Sequence, residues 1–358
     1  FITRPSYQFN TASGSWNSTT IYPARNLKPE KTRSWELGIN SKWLNNRLSF
    51  DLTYYRSNTI NQTFTADLSI SSGYSKAYIQ SGSIRNEGIE LALGYSDKWG
   101  AFSWDSNLTF SCNNNKIMKL TEGATNPMTG EPINKDNYDM GQLGNLDARV
   151  KLYKGGSIGD VYATHRIKRD GNGHIFVSQD GDIEIESVDE FKLGSILPKA
   201  NMGWSNNFSY KGINLGVTLT ARFGGIALSG TQSVLDQYGV SQKTADYRDA
   251  GGIAANYGYI DTEKYFDTVK GYAAYYTYSA TNIRLAELNL SYTLPKEWFR
   301  DKLRMTVGLV GKNLWMIYCK APFDPEATAS TQSNYYQSYD YFMQPTTRNI
   351  GFSVKLNF

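Results

Sequence analysis

One Gly-rich stretch holds side chains whose types and spacing could bind a metal ion. In KRDGNGHIFVSQDGDIEIESVDEF (168–191), oxygen-bearing side chains recur at near-alternate positions, namely Asp170, Asn172, Asp180, Asp182 and Glu184. Hard cations such as Ca²⁺ and Mg²⁺ prefer such ligands. The full register of a calcium loop is absent, because His174 stands where a further acidic residue or a glycine is expected. Asp-Gly pairs also form hairpin turns without metal. We therefore predict hairpins and no cofactor, with a structural Ca²⁺ or Mg²⁺ as the alternative.

No other set of residues is typical of an enzyme. The carboxylates Glu36, Asp51, Glu90 and Asp105 fall on polar faces of predicted strands. A catalytic pair must converge in a dry pocket, whereas these side chains spread over a wet surface. The chain has no Ser/His/Asp, Cys/His or phosphate-loop pattern, and its two histidines lack metal-ligand spacing. We expect no enzymatic activity.

Net charge and cysteine content exclude few further classes of function. The net charge is +4 with no basic cluster along the sequence, so nucleic acid is not an expected partner. Cys112 and Cys319 lie far apart in the chain. Two unpaired thiols are the preferred interpretation, with a disulfide as the alternative.

Two tyrosine-rich segments are candidate binding surfaces. They are GYAAYYTYS (271–279) and SNYYQSYDYF (333–342). Exposed tyrosine offers an apolar ring face for sugars and a hydroxyl for hydrogen bonds, and it serves protein interfaces equally well. Packing of the loops on themselves is the third interpretation. The candidate residues are Tyr275, Tyr276, Tyr278, Tyr335, Tyr336, Tyr339 and Tyr341.

The elements that must position these residues are strands. In INLGVTLTARF (213–223) and in the final NIGFSVKLNF (349–358), apolar residues alternate with small or polar ones. Period-two alternation predicts a strand with one apolar and one polar face. About nine such segments occur, each near the ~9–11 residues with which a tilted strand crosses a bilayer. The alternation slips between Leu285 and Leu288, which predicts a bulge.

The connections between these strands alternate in length. The short ones are 44–46, 97–101, 211–212 and 295–302, and the long ones are roughly 58–83, 113–200, 224–281 and 312–348. Outer-membrane barrels have short periplasmic turns and long extracellular loops. Aromatic residues near the short turns fit an interfacial girdle, although aromatic residues also favour strands generally. We therefore predict an all-β, antiparallel transmembrane β-barrel with its apolar face toward lipid.

Several stretches resemble the SusC/RagA family of TonB-dependent outer-membrane transporters. They appear in the family's order and extend from about residue 27 to the C-terminus. They are LKPEKTRSWELGINSKW (27–43), RLSFDLTYYRSNT (47–59), GSIRNEGIELALGY (82–95), LPKANMGWSNNFSYKGINLGV (197–217), NIRLAELNLSYTLP (282–295), GKNLW (311–315) and the last strand ending at Phe358.

This resemblance implies the C-terminal part of a barrel of about 22 strands. Residues 1–32 would be an extracellular loop or lead-in, and 33–358 would supply roughly the last nine strands. The signal peptide, the plug and the first barrel strands would lie upstream. The rest of the barrel, which would be either an upstream part of the same protein or a separate chain, would pair with both edge strands. Phe358 would serve as a membrane-assembly signal.

The resemblance also implies active import across the outer membrane of a Gram-negative, Bacteroidetes-like cell. Oligosaccharides are the expected cargo, and the expected partners are a SusD-like surface lipoprotein, the TonB-ExbB-ExbD complex and outer-membrane lipid. A RagA-like peptide importer is the first alternative. A soluble, carbohydrate-binding β-protein is the alternative from another class.

Overall fold

The computed structural model describes residues 7–10, 12, 14–18, 21–22, 27–67, 74–126, 129–133, 137–300, 302–327 and 337–358. The strands of the first half are β1 (Tyr7–Asn10), β2 (Ser15–Ser18), β3 (Ile21–Tyr22), β4 (Lys31–Trp43), β5 (Leu48–Asp67), β6 (Lys76–Trp99), β7 (Phe102–Lys119), β8 (Asn137–Gln142), β9 (Arg149–Tyr153), β10 (Asp160–Ile167) and β11 (Ile185–Ser195). Those of the second half are β12 (Ala200–Tyr210), β13 (Ile213–Phe223), β14 (Ile226–Ser229), β15 (Ile253–Ala255), β16 (Gly258–Ile260), β17 (Thr277–Ser279), β18 (Asn282–Thr293), β19 (Arg304–Cys319), β20 (Tyr339–Asp340) and β21 (Asn349–Asn357).

The described helices are short. They are α1 (Gly230–Gln237), α2 (Gln242–Asp249) and α3 (Thr262–Val269), with 3-10 turns at Ala273–Tyr275 and Lys296–Phe299. Within the part of the chain that the structure describes, no helix has the length and apolar character needed to span a membrane.

Nine antiparallel strands form the main sheet. Their order is β4-β5-β6-β7-β12-β13-β18-β19-β21, with β3 added in parallel to β6. The prediction of about nine strands is confirmed. The predicted bulge is also confirmed, because Thr218 pairs with Glu287 while Leu219 pairs with Leu285, which leaves Ala286 as the extra residue. The sheet is open, so the barrel is partial, and β4 and β21 are its edges.

The two faces of the sheet differ as predicted. Leu219, Trp204, Leu108, Leu93 and Phe50 lie opposite one another across five strands, forming a continuous apolar row. The row one residue away consists of Thr220, Gly203, Thr109, Ala92 and Asp51. On the apolar face, Phe352, Val354 and Leu356 are exposed and Val217 is half-buried, so none of them packs into a closed core.

Tight turns join the strands at one end of the sheet. The turn between β12 and β13 uses Lys211 and Gly212 at φ 46° and 86°, and positive φ at both positions is the type I′ geometry that suits a two-residue hairpin. Aromatic rings cluster near these turns. Trp104 lies 5.2 Å from Tyr95 and is stacked on Phe208 at 6.2 Å, measured between ring centroids. This clustering is the arrangement predicted for an interfacial girdle.

The long connections lie at the opposite end, and they are folded. Residues 143–197, 226–279 and 337–342 pack around one hydrophobic core, and we call these segments the loop layer. It contains most of a four-stranded sheet, β11-β10-β9-β8, the three helices, and a small sheet in which β14 lies between β17 and β20. The first long connection is shorter than predicted, because β5 continues to Asp67 and β6 already begins at Lys76.

Candidate functional site

The polar face of the main sheet lines a cavity of about 570 Å³. Strand alternation aims Asp51, Glu90, Thr109 and Thr220 into this space, while the connection after β19 supplies Glu326. Hydroxyl and carboxylate oxygens therefore dominate the polar part of the lining. Such a surface can donate many hydrogen bonds to a polar ligand and accept many from it while the ligand stays in water.

A second cavity, of about 360 Å³, lies where the polar face meets the loop layer. On the strand side, the Tyr55 hydroxyl donates to Asn113 Oδ1 at 3.1 Å. On the loop side, Lys192 Nζ lies 2.6 Å from Asp160 Oδ2. Asn115 joins the two, because its Oδ1 accepts hydrogen bonds from the Ile158 backbone N–H at 2.9 Å and the Ser157 hydroxyl at 3.3 Å. The loop layer is thus attached to the sheet in part through the side-chain amide of Asn115.

A charge network holds the connection after β19 against the polar face. Arg284 on β18 donates to both carboxylate oxygens of Asp324, at 3.0 and 2.7 Å, and lies 3.0 Å from Glu326. Burial alone raises the pKa of the Asp324 carboxyl, but hydrogen bonds from Arg284 and from the Glu326 backbone hold it below its ordinary value. Sequence reasoning missed this network, since the spacing of the three residues carries no local pattern.

The first tyrosine segment is largely internal to the loop layer. Tyr276 is 0% exposed, and the pKa of its hydroxyl is raised by burial. The half-buried Tyr275 accepts a hydrogen bond at its hydroxyl from the Ile167 N–H at 2.9 Å. Tyr278 packs edge-on against Phe323 at 5.7 Å, and burial raises its pKa to about 12. These contacts match the loop-packing interpretation, and a ligand cannot reach the Tyr276 ring without opening the core.

The second tyrosine segment is split between core and surface. Tyr339 is 2% exposed, and its hydroxyl donates to Asn145 Oδ1 while accepting from the Asn145 N–H at 3.1 Å. Tyr341 is 49% exposed and stacks on Tyr339 at 6.2 Å. Tyr335 and Tyr336 lie outside the described residues. Since Leu228 of β14 pairs with both Thr277 and Tyr339, the fold brings the two segments together.

The half-buried Asp147 carboxylate also connects two of the long connections. Its Oδ2 accepts from the backbone N–H of His165 at 3.1 Å and lies 3.1 Å from His165 Nδ1, while its Oδ1 accepts from the Ala273 N–H at 2.6 Å. The His165 ring stacks on Tyr272 at 5.3 Å. No local pattern predicts the pairing of Asp147 with Ala273, which lie in different long connections.

The acidic stretch at 168–184 forms two successive hairpins. The Gly173 N–H donates to the Asp170 carbonyl and the Gly181 N–H donates to the Ser178 carbonyl, and both glycines have φ above 80°. Asp170 Oδ1 accepts from the backbone N–H groups of Asn172 and His174. Asp182 pairs with Lys264 at 2.8 Å, and Asp180 lies in the second turn. Among the described residues, no three His, Cys, Asp or Glu side chains are grouped to hold a metal ion.

Both thiols are free, as preferred from the sequence. Cys112 lies on β7 and Cys319 ends β19. The structure therefore assigns them no covalent part in attaching the connections to the sheet.

Comparison with known proteins identifies the architecture. Residues 2–183 match the family model described as TonB dependent receptor-like, beta-barrel. The chain is 26% identical over 355 residues to TonB-dependent receptor P3 of Formosa agariphila, covering 95% of this chain and 35% of that protein. It is 23% identical over 327 residues to TonB-dependent receptor SusC of Bacteroides thetaiotaomicron, covering 87% of this chain and 31% of that protein. The chain thus spans about a third of the length of these curated relatives.

Solved structures show the same fold. The RagAB peptide importer in its open-open state matches 99% of this chain and 38% of its own, with a TM-score of 0.71 at 17% identity. The closed-closed state of the same importer also gives 0.71.

Proposed function

The chain belongs to the TonB dependent receptor-like β-barrel family, and we propose that it forms part of the wall and mouth of an outer-membrane importer of the SusC and RagA type. The main sheet would span the outer membrane with its apolar face toward lipid. Its polar face would line the lumen, the tight turns would face the periplasm, and the loop layer would form the extracellular mouth. The TonB system would supply energy through parts of the protein outside this chain.

The observation that carries this proposal is the two-faced sheet. An exposed apolar face that includes Leu37, Ile39, Ile350 and Phe352 suits lipid contact and is unfavourable in water. The opposite face holds the 570 Å³ polar cavity. A soluble carbohydrate-binding protein would have no use for the apolar face, so this alternative has lost its support.

We propose oligosaccharides as the cargo and a SusD-like lipoprotein as the partner at the mouth. The hydroxyl and carboxylate lining of the cavity suits polyhydroxylated ligands, which both donate and accept hydrogen bonds. Exposed loop tyrosines add ring faces for sugars or for a partner. They include Tyr341, Tyr257 and Tyr259. Peptide import is the second candidate, favoured by the fold shared with RagAB.

Adjacent residues on opposite faces of β13 allow a matched test. Thr220→Trp would place a large ring in the cavity, whereas Leu219→Trp would place the same ring in lipid. In the full-length protein, we expect the first variant to slow uptake of labelled oligosaccharides and the second to transport normally, with equal amounts of heat-modifiable barrel. Equal uptake by both would contradict a lumenal role for this face. Uptake of labelled peptides in place of oligosaccharides would select the second candidate.

A further inference from the structure

Basic side chains gather on the outward face of β4–β7, just beyond the apolar part of the sheet. The strand register places Arg33, Asn58, Arg85 and Lys116 directly opposite one another. The neighbouring rows add Arg56 on one side, and Lys31 and Lys119 on the other. We call these six cations, Lys31, Arg33, Arg56, Arg85, Lys116 and Lys119, the basic band.

The basic band has little internal neutralisation. In its three rows, Glu87 is the one carboxylate, and it lies 3.6 Å from Arg56. Arg85 Nε donates to the neutral Asn58 amide at 3.0 Å. Arg33 and Lys116 are exposed, and in the described parts of the chain neither has a carboxylate partner. Net positive charge on an exposed surface attracts anionic ligands.

The height of the band places it at a membrane interface. Trp43 on β4 and Tyr95 on β6 lie at the girdle end of the sheet. Arg33 and Arg85 lie ten residues away from them along the same strands. At ~3.3 Å per residue and a tilt of ~40°, ten residues rise roughly 25 Å, which is about the height of the apolar band of an outer-membrane barrel. Trp35 lies one row closer to the tight turns than Arg33 and is half exposed. It therefore occupies the position of an interfacial aromatic residue.

The band is also confined to one sector of the sheet. The neighbouring β12 and β13 end at Ala200 and Phe223, in register with Cys112 of β7, and so do not reach the rows of the band. A localised cationic surface that continues directly into lipid-facing side chains matches a ligand that has both an anionic head and acyl chains.

We propose that the basic band binds the phosphate groups of a phosphorylated glycolipid in the outer leaflet. Phosphate carries close to two negative charges at neutral pH, and arginine binds its oxygens bidentately. The row from β4 to β7 covers three strand spacings, roughly 14 Å, which is wide enough for one headgroup. This inference rests on the proposed function, since it requires the apolar face to lie in a membrane.

The test uses full-length protein in detergent, titrated with lipid A and followed by native mass spectrometry. One series uses phosphorylated lipid A, a second uses the same lipid after dephosphorylation, and a third adds inorganic phosphate as competitor. The variant is Arg33→Gln/Arg85→Gln/Lys116→Gln. Its control, Lys296→Gln/Arg300→Gln/Lys302→Gln, removes the same number of charges at the short-turn end.

We expect the phosphorylated lipid to bind the unaltered protein and the control variant equally well. At about fivefold per charge, binding to the band variant should be weaker by on the order of 100-fold. Undiminished binding to the band variant, or equal binding of the dephosphorylated lipid, would overturn the proposal. Displacement by inorganic phosphate at a concentration equal to that of the lipid would show a site for free phosphate and overturn it as well. Heat-modifiability of the same samples separates these outcomes from a failure of the barrel assignment, which would affect the unaltered protein too.

Discussion

At the scale of single residues, the assignment of faces can be tested on two adjacent positions of β13. Val217 lies on the apolar face and Thr218 on the polar face, where its hydroxyl lies 3.3 Å from that of Ser205. An arginine at Val217 should cost roughly 2–4 kcal/mol if this position lies near the bilayer midplane, whereas an arginine at Thr218 should have a small effect. Denaturant unfolding of the full-length barrel in lipid measures both. Equal costs would mean that the faces are not exposed to different solvents.

Tyr339 is the residue that joins all three long connections in the loop layer. It pairs with Leu228, bonds to Asn145 and packs in the shared core. Tyr339→Ala should cost about 3–5 kcal/mol of loop-layer stability, and Tyr339→Phe about 1–2 kcal/mol for the lost hydrogen bonds. Protease protection of residues 143–276 should fall in that order, while the heat-modifiable barrel stays unchanged.

Tyr341→Ala is the matched control for Tyr339, because this ring is half exposed. It should leave protease protection nearly intact and act, if at all, on partner association or uptake. If Tyr341→Ala destabilised the loop layer as much as Tyr339→Ala, the distinction between a core ring and a surface ring would be wrong.

At the scale of elements, the stability of the connection after β19 should depend on pH through the Asp324 carboxyl. Because the pKa of this carboxyl is lowered in the folded protein, the folded state binds its proton more weakly than the unfolded chain does. The Arg284–Asp324 contact is therefore fully stabilising above the ordinary Asp pKa of about 4, and this contribution is lost as pH falls through the lower folded value. Protease protection of residues 319–327 should be constant from neutral pH to about pH 5 and decline below about pH 4.

Asp324→Asn should reproduce that decline at neutral pH, with a loss of about 1.5–3 kcal/mol for charged hydrogen bonds. Asp267→Asn is a suitable control, because its pair with Lys270 is exposed and should contribute at most about 1 kcal/mol. Protection of 319–327 that is insensitive to Asp324→Asn would show that packing, rather than the ion pair, holds this connection.

The strands were predictable from sequence where one face is apolar, and much less so elsewhere. Alternation from Leu48 to Tyr55 revealed the first part of β5, but its extension to Asp67 was missed, since both faces become polar beyond Tyr55. Tyr276 was predicted as a candidate surface residue and lies in the core. A tyrosine ring suits either environment, and the residues that bury Tyr276 come from distant segments. The basic band was hidden for the same reason, since only the strand register brings Arg33, Arg85 and Lys116 together.

At the scale of the whole molecule, the nine-stranded sheet has two edges that a bilayer does not tolerate. β4 and β21 each pair on one side only within the described structure, so each leaves a row of backbone N–H and C=O groups without a strand partner. In hydrocarbon, each unsatisfied group costs several kcal/mol, which is why membrane sheets close into barrels. We therefore expect further strands of the full-length protein to pair with β4 and β21.

Hydrogen exchange on the full-length protein in detergent tests this closure directly. Amides of β4 and β21 that point away from the sheet should exchange as slowly as those of β12, which has partners on both sides. The same amides in residues 1–358 expressed alone should exchange fast, and this fragment should aggregate or require detergent, because its edges and apolar face stay uncovered. A soluble, monodisperse monomer of residues 1–358, or fast exchange at β4 and β21 in the full-length protein, would show that the sheet is complete as it stands and is not part of a closed barrel.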